Sequence, residues 1–443
     1  MKEAVQIGGT SASGGKGSTV LPGGPAVRHA VYAWVVVGLL WLVCFFSYAD
    51  RQALFSVFPL LRKEMGLTSV QLGMLGSSFA VIYGLSGPFA GYVVDHIRRK
   101  TAILGGLELW SVICCLSAVS RNFAQLVAFR ACEGLGESIY YPAALSMVSD
   151  YHGSRSRSRA MGILQTSVYA GTVGGGYWAG VIAERHGWRP AVLFFGGAGC
   201  LLGLVLIGLL REPVRGAADS ASLPSAALKA PHAISIGEVL GLLRIRSFVA
   251  LMAVFACANF VALVLLTWMP TYLYSRFHLS LAAAAFDAAV YPQLASMVGS
   301  VLGGYLADAG AAVNVRSRLW VQTGGVLLGA PFVLWSGLSH SLRAVIAGLV
   351  LWGLCKGVYD SNIFAAAFDV VPIRSRGTVS GLMNCIGWLL GGGAAPLAIG
   401  FLAMHISLGQ AIASSAIVYV IAGMILLVTA AKWLPAEISR AGS

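Results

Sequence analysis

Twelve long apolar segments follow one another along the chain, and they limit the possible fold more than any other feature. A helix needs about 20 apolar residues to cross a bilayer, and each segment is about that long or longer. Only 11% of the 443 residues are charged, whereas a soluble globular protein has about 25%. We therefore predict an all-α membrane protein with twelve transmembrane helices. The predicted spans are residues 31–60, 69–94, 101–119, 123–149, 160–183, 190–210, 247–274, 283–307, 319–338, 344–368, 379–402 and 408–431.

The 30 Lys and Arg residues fall unevenly on the two sides of the membrane that these spans define. Twenty lie on the side of the N-terminus, seven lie on the other side, and three lie at membrane depth. This is the positive-inside distribution, so we predict a multi-pass protein of the cell membrane with both termini in the cytoplasm. Topology and anionic headgroups account for the net charge of +13, and we expect no nucleic-acid partner.

Sequence features of the first half recur in the second half in the same order, at offsets of 213 to 219 residues. The matching pairs are Gly91–Asp95 with Gly304–Asp308, Arg157–Arg159 with Arg374–Arg376, and the glycine triplets 174–176 and 391–393. Such repetition predicts two pseudo-symmetric halves of six helices each. The predicted parts are a disordered cytoplasmic tail at 1–28, helical bundles at 29–211 and 246–432, a cytoplasmic linker at 212–245, and a cytoplasmic tail at 433–443.

The sequence carries no signature of an enzyme or of a cofactor-binding protein. It has no Walker loop, no HExxH spacing and no GxSxG segment. Its eight cysteines all lie in apolar spans and include no CxxC pair. We therefore expect no catalytic activity, no metal ion and no cofactor.

The loop after the second span carries a recognisable motif. Gly91–Lys100 resembles the loop signature of the major facilitator superfamily, a Gly-x-x-x-Asp-x-x-x-Arg-Lys pattern, and the resemblance extends over about residues 30–432. It implies the major facilitator fold and transport by alternating access. It also implies a cytoplasmic latch that stabilises one conformation, formed by Gly91, Asp95, Arg98, Arg99 and Lys100. The second copy, at Asp308, lacks a close run of basic residues, which argues against a symmetric latch.

Charged residues interrupt several apolar spans, although a charge at bilayer depth costs about 2.5–3.5 kcal/mol on insertion scales. They are Asp50 and Arg51 in the first span, Arg130, Glu133 and Glu137 in the fourth, and Lys356 and Asp360 in the tenth. In the fourth span the spacing of three and four residues puts all three side chains on one helical face. Either these groups handle a solute and a proton, or they only neutralise one another inside the bundle.

The residue types favour the handling of an anion together with a proton. Arg51 and Arg130 can each hold a carboxylate by two hydrogen bonds. Asp50, Glu137 and Glu133 are the predicted proton-coupling residues. A carboxyl group removed from water binds a proton more readily, and a nearby arginine opposes this. An anion that occupies the arginine would therefore favour protonation. The alternative is that Arg51 and Arg130 only neutralise Asp50 and Glu137 in static ion pairs, and that Glu133 simply pairs with Arg130.

Two short patterns refine the resemblance within the superfamily. Tyr-x-Asp-Arg at 48–51 and Arg-x6-Glu at 130–137 resemble the anion:cation symporter branch, whose members take up sugar acids and other organic anions with protons. The resemblance implies coupling and anion-binding roles for Asp50, Arg51, Arg130 and Glu137. However, Gly134–Ser138 also resembles a segment of the spinster branch, which moves lysolipids and sphingoid lipids. A lipid or amphipath transporter and an efflux carrier therefore remain alternatives to proton-coupled symport.

Polar and aromatic residues in other spans complete the predicted substrate site. Gln165 and Asn384 match positions that resemble sugar-acid contacts in the symporter branch. The other predicted substrate-binding residues are Tyr83, Lys356, Tyr359, Asp360 and Asn362, with Asn259, Trp268, Tyr272 and Trp388 as further candidates. We expect the partners to be a small organic anion, protons and the lipid bilayer, and the chain to act as a monomer.

Overall fold

The computed structural model describes residues 25–153, 156–213, 236–311, 316–372 and 375–434. Residues 1–24 of the tail predicted at 1–28 lie outside this part. Residues 435–443 of the tail predicted at 433–443 lie outside it as well. Residues 214–235, the larger part of the predicted linker, also lie outside it.

Every regular element in the described ranges is a helix. The helices of the first half are α1 (Pro25–Ser56), α2 (Phe58–Met65), α3 (Ser69–His96), α4 (Arg99–Ala118), α5 (Phe123–Tyr151), α6 (Arg157–His186) and α7 (Trp188–Leu209). A short helix, α8 (Ile236–Leu242), precedes the second half. The helices of the second half are α9 (Arg246–Phe277), α10 (Leu281–Ala311), α11 (Ser317–Leu338), α12 (Leu342–Asp369), α13 (Arg376–Ile386), α14 (Gly393–Leu402), α15 (Leu408–Ser414) and α16 (Ala416–Val428).

Ten of the described helical segments are long and apolar enough to cross a membrane. Helices α5 and α6, with 29 and 30 residues, are long enough to cross a membrane but are less apolar than those ten segments. The reason is local, because α5 carries the charged residues of the fourth span and α6 is rich in glycine. Both helices pack among the others, α5 against α3 and α4, and α6 against α1. The twelve-helix fold predicted from the sequence is therefore confirmed.

The packing inside the two halves repeats. Helix α5 packs against α3 and α4 in the first half, and α12 packs against α10 and α11 in the second. Likewise, α4 packs against α7, and α11 packs against α16. Between the halves the main contacts are α3 with α14 and α6 with α10. The internal sequence repeat thus corresponds to a repeat of helix packing.

Three predicted spans are interrupted. The first, predicted at 31–60, breaks after Ser56, and α2 starts again with Pro59 near its N-terminus. Proline lacks the backbone N–H that continues a helix and clashes with the preceding turn. The eleventh span contains a π-helical segment, Gly387–Gly392, between α13 and α14. Such wide turns occur frequently at functional sites, and this one carries Trp388. The twelfth, at 408–431, has a turn at Ser415 and changes to a π-helical segment, Thr429–Trp433.

Small residues bring the halves together on one side of the membrane. We call the side at which α1 begins the terminus side and the opposite one the far side. On the far side Gly180 packs against Ala282, and Gly400 packs against Ser69. The backbone N–H of Ala282 also donates to Oε1 of Glu184, at 3.3 Å. Glycine allows such close helix approach in membranes, so the halves are held together at their far ends.

Candidate functional site

A cavity of about 280 Å³ lies between the two halves. The first half lines it with Tyr48, Arg51, Gln52, Phe55, Gln165, Val168, Tyr169 and Thr172. The second half lines it with Phe255, Ala258, Asn259, Ala262, Leu263, Leu266, Gln293, Lys356, Tyr359, Asp360 and Trp388. Four side-chain amides, a cation from each half and several aromatic rings therefore face one space. We refer to it as the central cavity.

Arg51 of α1 forms an ion pair with Glu137 of α5, and both side chains are buried. The hydroxyl of Ser47, one turn earlier in α1, donates to the same Glu137 oxygen, Oε2, at 2.8 Å. Arg51 lines the central cavity, whereas Glu137 does not. Glu137 therefore neutralises the guanidinium from outside the cavity lining, while part of the guanidinium faces the cavity.

Four aromatic rings surround the guanidinium of Arg51. The distances from its central carbon to the ring centroids are 4.7 Å for Tyr48, 4.4 Å for Phe79, 5.4 Å for Tyr83 and 5.1 Å for Trp388. Each such cation–π contact contributes about 0.5–2 kcal/mol, depending on how completely the pair is desolvated. Three of the rings belong to the first half, but Trp388 comes from the second. The position of Arg51 is thus tied to both halves.

A second cluster of charges lies beside the first. Arg130 pairs with Glu133 of the same helix, and the Ser117 hydroxyl donates to Oε1 of Glu133 at 3.1 Å. The ring of Phe79 lies 4.6 Å from the guanidinium carbon of Arg130, so this ring contacts both arginines. Asp50 completes the cluster and shares a small cavity of about 10 Å³ with Arg130 and Glu133.

Asp50 differs from the other carboxylates of the two clusters. It is 7% exposed, and its Oδ1 atom has no hydrogen-bond partner among the described residues. The described ion pairs join Glu137 to Arg51 and Glu133 to Arg130, but they include none for Asp50. The two clusters therefore contain three carboxylates and two guanidiniums, and Asp50 is the carboxylate in excess.

The second half supplies its own ion pair to the central cavity. Lys356 and Asp360, one turn apart in α12, pair with each other, and both line the cavity. Tyr359 also lines it, and its buried hydroxyl has no hydrogen-bond partner in the described part of the chain. These three residues, all predicted to bind substrate, thus line the central cavity from the second half.

The other predicted substrate residues lie in different surroundings. Gln165 lines the cavity and accepts a hydrogen bond from the Tyr141 hydroxyl at 3.3 Å. Tyr83 contacts Arg51 and, at 5.0 Å between centroids, Trp388. Asn362 does not line the cavity, because its buried amide donates to the Gly303 and Val358 carbonyls, both at 3.0 Å. Asn384 is exposed, does not line the cavity either, and donates to the Ser380 carbonyl at 3.0 Å.

Sequence reasoning missed several residues of the site. One of them is Phe79, which contacts both arginines. The other three, which line the central cavity, are Gln52, Gln293 and Tyr169. A signal was present for two of them. Gln52 directly follows Asp50–Arg51, and Phe79 lies one turn before Tyr83 on the same helical face.

The predicted latch lies on the terminus side, where α3 meets α4. Arg99 pairs with Asp150 at 2.9 Å, and the Lys100 ammonium donates to the Ile207 carbonyl at 2.7 Å. The backbone N–H groups of both residues donate to the Glu212 carboxylate at 2.9 and 2.8 Å. Arg98 is exposed, and a methyl group added to Gly91 would meet no atom within 4 Å. The side chain of Asp95 lies outside the described part.

The second half repeats this ion pair, contrary to the expectation of a degraded copy. Arg318 pairs with Asp369 at 2.6 Å and with Asp308 at 3.2 Å. Arg318 and Asp369 each stand 219 residues after their first-half counterparts, Arg99 and Asp150. The expectation was wrong because the basic partner comes from the start of α11, not from a run of basic residues directly after Asp308. The two halves therefore carry equivalent ion pairs on the terminus side.

The described residues include no group of three or more His, Cys, Asp or Glu side chains arranged to hold a metal ion. The central cavity presents charged, amide and aromatic side chains.

Comparisons with known proteins agree with this architecture. The family model described as Major Facilitator Superfamily matches residues 40–396. The "probable L-galactonate transporter" of Escherichia coli K12 is 27% identical over 359 residues, which is 76% of this chain and 78% of that protein. Protein spinster of Drosophila melanogaster is 27% identical over 380 residues, 83% of this chain and 61% of that protein. A crystal structure of a bacterial homologue of the human lysosomal transporter spinster, inward-facing and unoccupied, has a TM-score of 0.81 at 21% identity and covers 91% of this chain and 98% of that one.

Proposed function

Because the chain belongs to the Major Facilitator Superfamily, we propose that it is a secondary active transporter that takes up a small organic anion together with protons. The proposed substrate is a sugar acid or another carboxylate, in line with the relatives named for L-galactonate and for galactarate and D-glucarate. One observation carries the proposal. Arg51 faces the central cavity, while its counter-ion, Glu137, lies behind it.

The cavity offers suitable partners for such a substrate. A guanidinium binds a carboxylate through two parallel hydrogen bonds, and the aromatic rings around Arg51 hold it ready for that geometry. The amides of Gln52, Gln165 and Gln293 can both donate to and accept from substrate hydroxyls. Carboxylate recognition at the first half and hydroxyl recognition around it would together select a hydroxylated acid.

Coupling to protons follows from the charge balance. An anion that binds Arg51 competes with Glu137, which then loses its counter-ion in a buried place. An unpaired buried charge is costly, so Glu137 gains a proton when the anion arrives. Asp50, which already lacks an ion-pair partner among the described residues, is the second proton site. In this scheme the proton offsets the charge of the bound anion during its passage.

The two halves would move around the central cavity in alternating access. The described conformation holds the halves together on the far side through the Gly180 and Gly400 contacts. Opening that side requires these contacts to separate while the terminus side closes. The ion pairs of Arg99 and Arg318 lie on the terminus side and would stabilise one of the two states.

Uptake into proteoliposomes tests the proposal. Purified protein is reconstituted, and the accumulation of labelled sugar acids is followed with and without an imposed pH gradient. The proposal expects accumulation driven by an inward proton gradient, and reversal of the gradient distinguishes uptake from efflux. Transport that is indifferent to the gradient would contradict proton coupling.

A lipid carrier is the second candidate, because the chain also aligns with spinster proteins. The polar lining of the cavity, with Lys356, Asp360 and the amides, is better suited to a hydrophilic solute. A thermal-shift screen that includes lysolipids beside sugar acids and aromatic acids separates the two candidates. Stabilisation by lysolipids alone would favour the lipid carrier.

A further inference from the structure

A second cavity, of about 510 Å³, opens on the far side of the second half, where α9, α11 and α15 end or begin. It does not share any lining residue with the central cavity. Its basic residues are Arg276, at the end of α9, and His340, in the connection from α11 to α12. We refer to it as the far-side pocket.

The framework of the far-side pocket consists of tightly packed backbone. Gly409, at the start of α15, packs directly against Gly337, at the end of α11. The buried Tyr272 hydroxyl donates to the carbonyl of Gly337 at 3.2 Å or to that of Ser339 at 3.3 Å. These contacts connect three helices around the pocket and hold its wall in place.

Two side-chain hydrogen-bond acceptors of this pocket, on His340 and Gln410, are already occupied. A guanidinium N–H of Arg276 donates to Nδ1 of His340 at 2.7 Å. This leaves the His340 proton on Nε2, where it can be donated. The side-chain oxygen of Gln410 accepts from the backbone N–H and the hydroxyl of Ser407, at 3.1 and 3.0 Å, in a helix-capping box. The Gln410 amide therefore presents its NH₂ donors.

The charge of the pocket has one sign. Its lining includes Arg276 and His340 but no Asp or Glu. Arg276 forms no ion pair with a described residue, in contrast to Arg51 and Arg318. Asp287, the acidic residue near the far-side start of α10, is not part of the lining. Donors without a counter-charge favour an oxyanion, because hydrogen bonds to an ionised group are about twice as strong as neutral ones.

We propose that the far-side pocket is a binding site for an oxyanion, a carboxylate or a phosphate, held by Arg276, His340 and Gln410. The site is separate from the central cavity, and the proposal does not depend on the nature of the transported solute. Its volume is within the range of small-molecule pockets. The oxyanion can come from a free solute or from the headgroup of an anionic lipid at the membrane surface.

Two substitutions test the donor set. Arg276→Gln removes the charge. Gln410→Glu exchanges the NH₂ donors for a carboxylate and keeps the capping box, since Glu serves that motif as well as Gln. Arg343→Gln is the matched control, because Arg343 is an exposed arginine at the far-side start of α12 that does not line the pocket. None of the three positions lines the central cavity.

The full chain is reconstituted in phosphatidylcholine nanodiscs and titrated calorimetrically with sodium gluconate and, separately, with inorganic phosphate. We expect one class of site to weaken about tenfold or more in Arg276→Gln and Gln410→Glu, as the loss of a charged hydrogen bond implies, and to be unchanged in Arg343→Gln. Phosphatidylglycerol nanodiscs identify the source. If lipid headgroups occupy the pocket, the wild type binds the added anion more weakly in phosphatidylglycerol nanodiscs than in phosphatidylcholine nanodiscs. The two variants then bind the anion equally in both lipids. Equal binding by wild type and both variants in both lipids would overturn the proposal.

Discussion

The guanidinium of Arg51, in the first half, lies 5.1 Å from the ring of Trp388, in the second half. Trp388 belongs to the π-helical segment of the eleventh span, and its ring also packs against Tyr83. A movement of the halves relative to one another must change this contact. Arg51 is also ion-paired with Glu137, so a change at Trp388 acts on the group that is proposed to bind the anion.

Removal of the Trp388 ring tests whether this contact matters for binding. We expect Trp388→Leu to weaken the apparent substrate affinity by about 2- to 30-fold, the equivalent of one cation–π contact, and Trp388→Phe to retain most of it. The measurement is the concentration dependence of initial uptake. Trp320→Leu is the control, because Trp320 is an exposed tryptophan of α11 away from the cavity. Equal affinities for the Leu variants at 388 and 320 would contradict a role for the contact.

Asp50 is the carboxylate in excess, and its neutral variant separates binding from coupling. Asp50→Asn cannot carry a proton, but it leaves the Arg51–Glu137 pair in place. We expect loss of uptake driven by a pH gradient and retention of substrate exchange across vesicles loaded with substrate. Asp287→Asn is the matched control, since Asp287 lines neither the small cavity beside Asp50 nor the central cavity. Gradient-driven accumulation at the wild-type rate in Asp50→Asn would assign the proton to another group.

Glu137 is proposed to compete with the substrate for Arg51, and this has a consequence for stability. Glu137→Gln leaves a buried arginine without its partner, which typically costs about 3–5 kcal/mol. We expect a lower thermal midpoint without substrate, tighter anion binding, and a larger stabilisation by the anion than in the wild type.

The matched control for Glu137 is Glu64→Gln, which breaks the Arg189–Glu64 pair on the far side. Both partners of that pair are well exposed, so its loss costs at most about 1 kcal/mol and anion binding stays unchanged. If Glu137→Gln binds the anion more weakly than the wild type, competition for Arg51 is not the basis of coupling.

The spans and the charged residues of the site could be predicted because they depend on local sequence. A run of apolar residues indicates a spanning helix, and the interruptions by Asp50–Arg51 and Lys356–Asp360 are visible as single features. Which carboxylate pairs with Arg51 could not be predicted, because the choice of Glu137 depends on the rotation of α1 against α5. For the same reason Arg130 had several candidate partners, and the structure selects Glu133.

Other residues required the tertiary structure. Asn362 and Tyr359 are three residues apart in α12, but only Tyr359 faces the central cavity, whereas Asn362 binds the backbone of α10. Phe79 is an ordinary aromatic residue in its sequence context, and its importance appears only when two arginines from different helices meet on its ring. The Arg318–Asp369 pair was missed because the basic residue comes from another helix.

The close approach of α1 and α6 next to the charged site can be tested with glycine variants. A methyl group on Gly175 would overlap backbone atoms of Ala49, the residue before Asp50, whereas a methyl group on Gly162 of the same helix has open space. Overpacking costs about 1–3 kcal/mol, so we expect Gly175→Ala to lower the thermal midpoint and to reduce anion affinity by moving Arg51. Gly162→Ala should be neutral or stabilising by up to about 1 kcal/mol, because alanine favours a helix more than glycine does. The two variants differ from wild type by the same single methyl group, so equal midpoints and affinities would show that α1 does not approach α6 as closely as described.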